Sequence, residues 1–385
     1  MTRKKICVVV TARPSYSRIR TALQAIKAHP ELELQLVVSA SALLDKYGNA
    51  VEYIEADGFH INEKVFMVLE GSSPTGMAKT TGVGIMELAT SFYNLEPDMV
   101  VTIGDRYETM ATAVAASYMN IPLVHVQGGE VTGNIDEKVR HAITKLSDLH
   151  LVASEDARER LVRMGEVPGR IHLTGCPSID LAEEVRLNPA LDFDPVGRYG
   201  GVGAEIDIRQ PYIVVMQHPV TTEFEAAVDQ ANQTMEAVLA SGVQALWFWP
   251  NVDAGSDGTS NALRRYRENR RDLPVRFFKN MEGRDFLRLL VNSRCLIGNS
   301  SVGIRECSYL GVPVVNIGSR QNRRERGPNV LDTGYTKEEI LAAIQQQLAH
   351  GPHAKATIYG DGDAGTRIAD VLASQSPGIA KVIQY

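Results

Sequence analysis

Ser300 and Ser301 sit between two elements whose junction could hold a phosphate. Before them runs Cys295-Leu296-Ile297, an apolar stretch that reads as a buried strand closed by Gly298. After them a helical pattern begins near Val302. The first N–H groups of a helix have no partners within it and carry partial positive charge, so a strand, a small polar turn and a helix start together form an anion cradle. The two hydroxyls add donors at the same spot. Glu306, one turn on, is placed to accept from two adjacent ribose hydroxyls rather than to meet phosphate. The next strand, Val312 to Ile317, delivers Arg320 and a basic turn of Arg323, Arg324 and Arg326. A plain helix cap at Ser300 would leave the same local signature. Arg320 and Glu306 around it favour a nucleoside diphosphate.

Four further loops follow strand ends. Thr11 to Arg18 carries Arg13, Ser17 and Arg18, which suit an anionic or polar ligand or simply a helix start with Pro14 at its first position. In Gly104-Asp105-Arg106-Tyr107-Glu108, the Asp105 carboxylate stands at the rim of a sheet, as a site acid or as an N-cap. The densest loop runs from His125 to His141. Gly128-Gly129 permits close backbone approach, and Glu130 and Asp136 are acids between buried elements. Asp136 and Arg140 share a helix face, where a bare salt bridge would contribute only roughly 0.3–0.5 kcal/mol. His218, directly after another strand, could bind phosphate or move a proton. Pro250 to Gly255, with Asn251, holds the equivalent place one unit later. The chain has neither a Gly-x-Gly-x-x-Gly fingerprint nor a Walker loop, so nicotinamide chemistry and ATP hydrolysis find no support.

These loops need a scaffold, and apolar runs alternating with helical periods supply one. Strands are expected at 6–10, 34–39, 99–103, 122–126, 149–153 and 171–174. Helices are expected over 13–27, 40–56, 106–119, 136–147 and 155–164, with another closing over 87–95. Residues 188–210, rich in Pro and Gly and without periodicity, read as a linker. The alternation then restarts, with strands at 212–216, 243–248 and 275–278, helices at 223–240, near 260–269 and at 283–292, and a later helix at 337–350. Fully apolar strands between helices mean parallel sheets covered on both faces. Two doubly wound domains are expected, with ligands at the carboxyl ends of the strands in a cleft between them.

The 385 residues, 44% hydrophobic and 22% charged, suffice for two cores. Net charge, 40 minus 46 or −6, argues against a nucleic-acid or membrane surface. The opening Met1 to Val10 reads as a first buried strand rather than a signal segment. Cys7, Cys176, Cys295 and Cys307 form no paired ligand spacing, so free thiols in a reducing cytoplasm and no metal site are expected.

In these motifs the chain resembles the hydrolysing UDP-N-acetylglucosamine 2-epimerases. That family includes bacterial sialic acid and legionaminic acid pathway enzymes and the epimerase half of the mammalian bifunctional epimerase/kinase. The resemblance covers nearly the whole chain. It rests on TARPSYSR (11–18), LLDKYGN (43–49), GDRYE (104–108), HVQGGEVTGNIDEKVRHAITKLSDLH (125–150), QHPVTT (217–222), PNVDAGS (250–256), IGNSSVGIRE (297–306), NIGSRQ (316–321) and YGDG (359–362). It implies two Rossmann-like domains of the glycosyltransferase-B type at 1–187 and 211–364, with 365–385 packing back on the first. It implies loss of UDP to leave a glycal, then hydration to N-acetylmannosamine. It places Ser300, Ser301, Glu306 and Arg320 on UDP, with Arg13 and His218 near the diphosphate. Asp105 and Asp136 handle protons, and Ser17, Arg18, Arg106, Arg140 and Asn251 complete the substrate contacts. A UDP-sugar is the implied partner, no cofactor or metal is needed, and a homodimer or dimer of dimers is typical. Two positions depart from the family. Gln127 stands where a catalytic Glu is common, and an amide cannot act as a base, which leaves Glu130, or Asp105 with Asp136, to serve. Arg18 stands where relatives carry Lys. The same reaction on a 2,4-diacetamido-2,4,6-trideoxy sugar nucleotide is the nearest alternative. A reversible epimerase, a glycosyltransferase and a silent sensor stand further off.

Overall fold

A computed structural model describes residues 3–44, 50–69, 74–131, 135–220, 223–250, 263–264, 266 and 274–384. The chain divides into two compact units. The first holds residues 1–131, 135–180 and 359–385, and the second holds 132–134 and 181–358.

The first unit is a seven-stranded parallel sheet. Its strands are β1 (Lys4–Val10), β2 (Leu32–Ser39), β3 (Glu63–Val65), β4 (Met99–Ile103), β5 (Leu123–Val126), β6 (Leu149–Val152) and β7 (Ile171–Leu173), in the order β3-β2-β1-β4-β5-β6-β7. The connecting helices are α1 (Arg13–Ala28), α2 (Ala50–Ala56), α3 (Pro74–Leu95), α4 (Thr109–Tyr118), α5 (Ile135–Leu146), α6 (Glu155–Arg163) and α7 (Pro177–Leu187), the last crossing into the second unit. β4 and β5 are buried on both faces, as strands covered by helices must be. α1 turns Ile19, Ala22, Leu23 and Ile26 inward, at the three- and four-residue spacing of one helical face.

The second sheet contains β8 (Val202–Gly203), β9 (Tyr212–Met216), β10 (Gln244–Phe248), β11 (Val275–Phe278), β12 (Leu296–Gly298), β13 (Val314–Ile317) and β14 (Val330–Thr333), in the order β14-β13-β12-β9-β10-β11-β8. Only β8 runs antiparallel to its neighbour. Its helices are α8 (Pro195–Tyr199), α9 (Ala227–Ala240), α10 (Gly283–Val291), α11 (Ser301–Ile304), α12 (Glu306–Leu310) and α13 (Lys337–His350). A last helix, α14 (Ala364–Ser374), belongs to the first unit and packs Ile368, Ala369 and Leu372 into the core that α1 lines. Asp180 fixes its start by accepting from Ala364 N and Gly365 N, both at 2.8 Å, and from Thr21 Oγ1 at 2.7 Å.

Several expected elements differ. Residues 188–210 are not a bare linker: they form α8, capped by Asp194 on Val196 N and Gly197 N, and the edge strand β8. Arg276 organises this stretch by donating to the Gly200, Ala204 and Gly201 carbonyls at 3.0, 3.0 and 3.3 Å. The helix expected over 40–56 is a 3-10 turn at Ala40–Leu43 and then α2, with residues 45–49 outside the described residues. The expected helix near 260–269 is described only at 263–264 and 266. The helix expected at 106 starts three residues later, at Thr109. The helix near Val302 is two short pieces broken at Arg305, whose backbone sits at φ −101°, ψ −75°.

Candidate active site

In an open parallel sheet, ligands bind beyond the carboxyl ends of the strands where the order reverses. The first sheet reverses between β1 and β4, and the second between β9 and β12. The loops after these four strands are Thr11–Arg13, Gly104–Asp105, Gln217–His218 and Asn299–Ser300, so Arg13, Asp105, His218 and Ser300 stand at the two reversal points.

In the first unit, Arg140 is the organising group. It is a guanidinium only 1% exposed, ion-paired with the Asp105 carboxylate and donating from Nη1 to the Glu130 carbonyl at 2.7 Å. A fully buried guanidinium cannot be a bare surface salt bridge. Asp105, 18% exposed at its side chain, is not an N-cap either, since Glu108 holds that position. Asp136 stands in the first turn of α5, four residues before Arg140. Arg106 is anchored by Nε on the buried Glu108 at 2.8 Å. Arg13 lies 4.7 Å over the Tyr53 ring, and burial lowers its pKa from the ordinary arginine value. Ser17 is exposed and donates to the Arg13 carbonyl at 3.4 Å, and Arg18 is half-buried. Asn251 lies outside the described residues, as do residues 132–134, 221–222 and 251–256 of the quoted motifs.

In the loop after β5, two glycines and Gln127 make close contacts within the protein. Gly128 and Gly129 make room for the protein itself. A Cβ on Gly128 would come 2.8 Å from His125 Nδ1, and one on Gly129, at φ +79°, would come 2.5 Å from the Ala157 carbonyl oxygen. Gln127 is buried in a left-handed conformation, φ +66°, with Nε2 donating to Cys176 Sγ at 3.0 Å. The thiol in turn lies 3.1 Å from Ser178 Oγ. The Gln127 amide therefore ties β5 to the start of α7. Glu130 is also buried, at 5% exposure.

His125 joins two of these parts. Its Nε2 lies 2.9 Å from the Gly104 carbonyl and its Nδ1 3.2 Å from Thr144 Oγ1 on α5. A carbonyl only accepts, so Nε2 carries the proton and Nδ1 accepts from the hydroxyl. Burial pulls the pKa down to about 3, which keeps the ring neutral.

In the second unit the organiser is Asn299, which the flanking serines obscure in the sequence. Its side chain accepts from His218 N and donates to the His218 carbonyl, both at 2.8 Å, clamping the β9 loop to the β12 loop. Its own carbonyl accepts from Arg320 Nη1 at 3.1 Å and from Gln321 Nε2 at 2.9 Å. Gly298, at φ +129°, is required because a Cβ there would collide with the Met216 carbonyl. Ser300 does cap α11, accepting from Val302 N at 3.4 Å, so the cap reading holds. Ser301 is half-buried beside it, and Glu306, 9% exposed, opens α12 after the break. His218 is buried, with its pKa lowered to about 3 first by desolvation and then by Arg320. It is a neutral hydrogen-bonding group, not a cation.

Comparison with known proteins identifies the family and the fold. The family model described as UDP-N-acetylglucosamine 2-epimerase matches residues 24–373. The chain is 34% identical over 369 residues to the UDP-N,N'-diacetylbacillosamine 2-epimerase (hydrolyzing) of Legionella pneumophila, covering 96% of this chain and 95% of that protein. It is 32% identical over 372 residues to the UDP-N-acetylglucosamine 2-epimerase of Neisseria meningitidis, again covering 96% and 95%. A crystal structure of UDP-GlcNAc 2-epimerase from Neisseria meningitidis bound to UDP-GlcNAc superposes with a TM-score of 0.79 at 17% identity, covering 96% of this chain and 100% of that one, a likeness in the glycosyltransferase-B-like fold. The chain belongs to the UDP-N-acetylglucosamine 2-epimerase family.

Proposed function

We propose that this protein is a hydrolysing UDP-N-acetylglucosamine 2-epimerase, converting UDP-N-acetylglucosamine and water to N-acetylmannosamine and UDP. The observation that carries the reading is the Asp105 carboxylate held by fully buried Arg140 at the reversal point of the first sheet, in a chain of this family. The C2 proton has no adjacent carbonyl, so its removal needs both a fixed carboxylate and a stabilised leaving group. In an anti-elimination, the C1–O bond breaks with its electron pair leaving on UDP while a carboxylate takes the C2 proton. The resulting glycal then receives a proton at C2 and a hydroxyl at C1 from water. Asp105 and Asp136 take the proton-handling roles, with Glu130 beside them. Ser300, Ser301, Arg320, Arg13 and neutral His218 hold the diphosphate, and Glu306 the ribose. Ser17, Arg18, Arg106 and Asn251 contribute further substrate contacts. The product would feed sialic acid-type sugar synthesis in the cytoplasm, from a homodimer or a dimer of dimers.

The second reading, the same chemistry on UDP-2,4-diacetamido-2,4,6-trideoxyglucose, is favoured by the 34% identity to the Legionella relative. Incubation of each nucleotide sugar in deuterium oxide, followed by NMR, decides. The first reading expects free N-acetylmannosamine deuterated at C2, with UDP. The second expects kcat/KM to favour the diacetamido sugar. Accumulation of a UDP-linked epimer from either substrate would exclude the hydrolysing reaction.

A further inference from the structure

Residues 375–384 follow α14 without regular structure, yet they are fastened to the first unit. Gln384 N donates to the Gly165 carbonyl at 3.1 Å, and Arg170 Nη1 donates to the Gly378 carbonyl at 3.2 Å. The principal fastening is Lys381. Its ammonium donates to the Thr144 carbonyl at 2.9 Å and the Ser147 carbonyl at 2.5 Å, and pairs with Glu166 Oε2 at 2.6 Å. The first two acceptors lie at the C-terminal end of α5, where a cation is favoured by the helix dipole, and the Thr144 carbonyl accepts from Ser147 N as well. Glu166 is a carboxylate only 2% exposed, which also accepts from Lys145 Nζ at 2.6 Å and meets His150 Nε2 at 2.9 Å. A buried charge of this kind stays in place only while its partners do.

α5 is the helix that carries Asp136 and Arg140. A closed ring of contacts runs through it, and Lys381 is fastened to that ring at Thr144. Lys381 holds the Thr144 carbonyl, and the Thr144 hydroxyl meets His125 Nδ1. His125 Nε2 then meets the carbonyl of Gly104, the residue before Asp105, and Asp105 pairs with Arg140, one turn back along α5 from Thr144. Every link but Lys381 comes from the sheet and its own helices. The geometry points to Lys381 as a positioning residue, by which the segment after α14 sets the register of α5 and thereby the placement of Asp105 and Asp136. This rests on the functional reading above.

The test compares Lys381→Met, Lys381→Arg and Arg276→Met with the unaltered chain. Arg276→Met is a control that strips a cation from three carbonyls at the outer edge of the second sheet. Steady-state turnover, UDP affinity by calorimetry and amide hydrogen exchange are read for each. Displacement of catalytic groups by about 1 Å costs on the order of a hundredfold, so Lys381→Met is expected to lower kcat between about 10- and 100-fold. UDP affinity stays within about twofold, because Ser300, Ser301, His218 and Arg320 lie in the other unit and Arg13 stands on α1 rather than α5, and exchange rises over residues 139–146. Lys381→Arg restores most of the rate, and Arg276→Met leaves kcat unchanged whatever it does to stability. Lys381→Met with unaltered kcat and unaltered α5 exchange would overturn the proposal, as would a parallel loss of UDP affinity. If the unaltered chain turns over no nucleotide sugar, the functional reading has failed. α5 exchange in Lys381→Met then decides the coupling by itself: faster exchange upholds it and unchanged exchange overturns it.

Discussion

The two reversal points are built from different materials, which suits the two different tasks proposed for them. At the first, charge meets charge: Asp105 with Arg140 and Glu108 with Arg106, each pair having one member almost wholly buried. At the second, the organiser is a neutral amide, Asn299, the histidine is neutral, and Arg320 donates to a backbone carbonyl. A group that must exchange a proton without moving gains from a buried counter-charge, which fixes its geometry and its protonation state. A site that must both hold and release a diphosphate gains from preorganised neutral donors with a single cation added. The division predicts that substitutions at the first point cost rate and those at the second cost affinity.

The largest expected effect breaks the first point. Asp105→Asn and Asp136→Asn should each lower kcat by about a thousandfold, within the range for loss of a general acid or base, while UDP affinity by calorimetry stays within about twofold. Equal losses in rate and affinity would erase the distinction between the two points. Arg140→Met leaves the Asp105 carboxylate without its buried partner and should destabilise the fold by about 3–5 kcal/mol, read from urea midpoints. At the second point, Arg320→Ala should weaken UDP binding by roughly 1.5–3 kcal/mol, the scale of a charge-assisted hydrogen bond, with kcat at saturation little changed. Gln127→Glu sharpens the assignment within the first unit. A carboxylate has no donor for the Cys176 sulfur, so stability should fall by about 1–3 kcal/mol with no gain in turnover, whereas a faster enzyme would return this position to the catalytic groups.

A pH effect is shared by both points. His125 and His218 have folded-state pKa values of about 3 against an ordinary 6.5. Between those values the unfolded chain binds protons that the folded chain refuses, so stability is full above pH 6.5 and declines as pH falls. The slope approaches about 1.4 kcal/mol per pH unit for each histidine. Glu166, held at about 2 against 4.5 despite its burial, adds a loss of the same sign at lower pH, through its hydrogen bonds to His150, Lys145 and Lys381. Urea midpoints at pH 7.5, 6 and 5 should fall in that order, and a flat profile would contradict the neutral, buried state of both rings.

What was legible in the sequence follows the range of the forces. Strands such as β9 declare themselves, because a strand covered on both faces reads as an unbroken apolar run. The site loops were legible as polar residues directly after such strands. Partnerships over long range were not. Arg140 pairs with Asp105, 35 residues away, and nothing in the local sequence announces it. The stretch from 188 to 210 looks like a linker because its order comes from Arg276, far along the chain. The direction of the Gln127 side chain depends on a positive φ that Gln rarely adopts, and nothing in its neighbours announces it. The break at Arg305 is equally silent, although Gly303 inside the first piece packs so closely that a Cβ would come 2.9 Å from Val314 Cγ1.

The account turns on where the leaving group is held, and a crystal structure of this chain with UDP tests that most directly. The diphosphate is expected against the turn after β12, within hydrogen-bond reach of Ser300, Ser301 and Arg320, with the ribose at Glu306. UDP bound anywhere else, or a diphosphate that leaves Arg320 untouched, would contradict it.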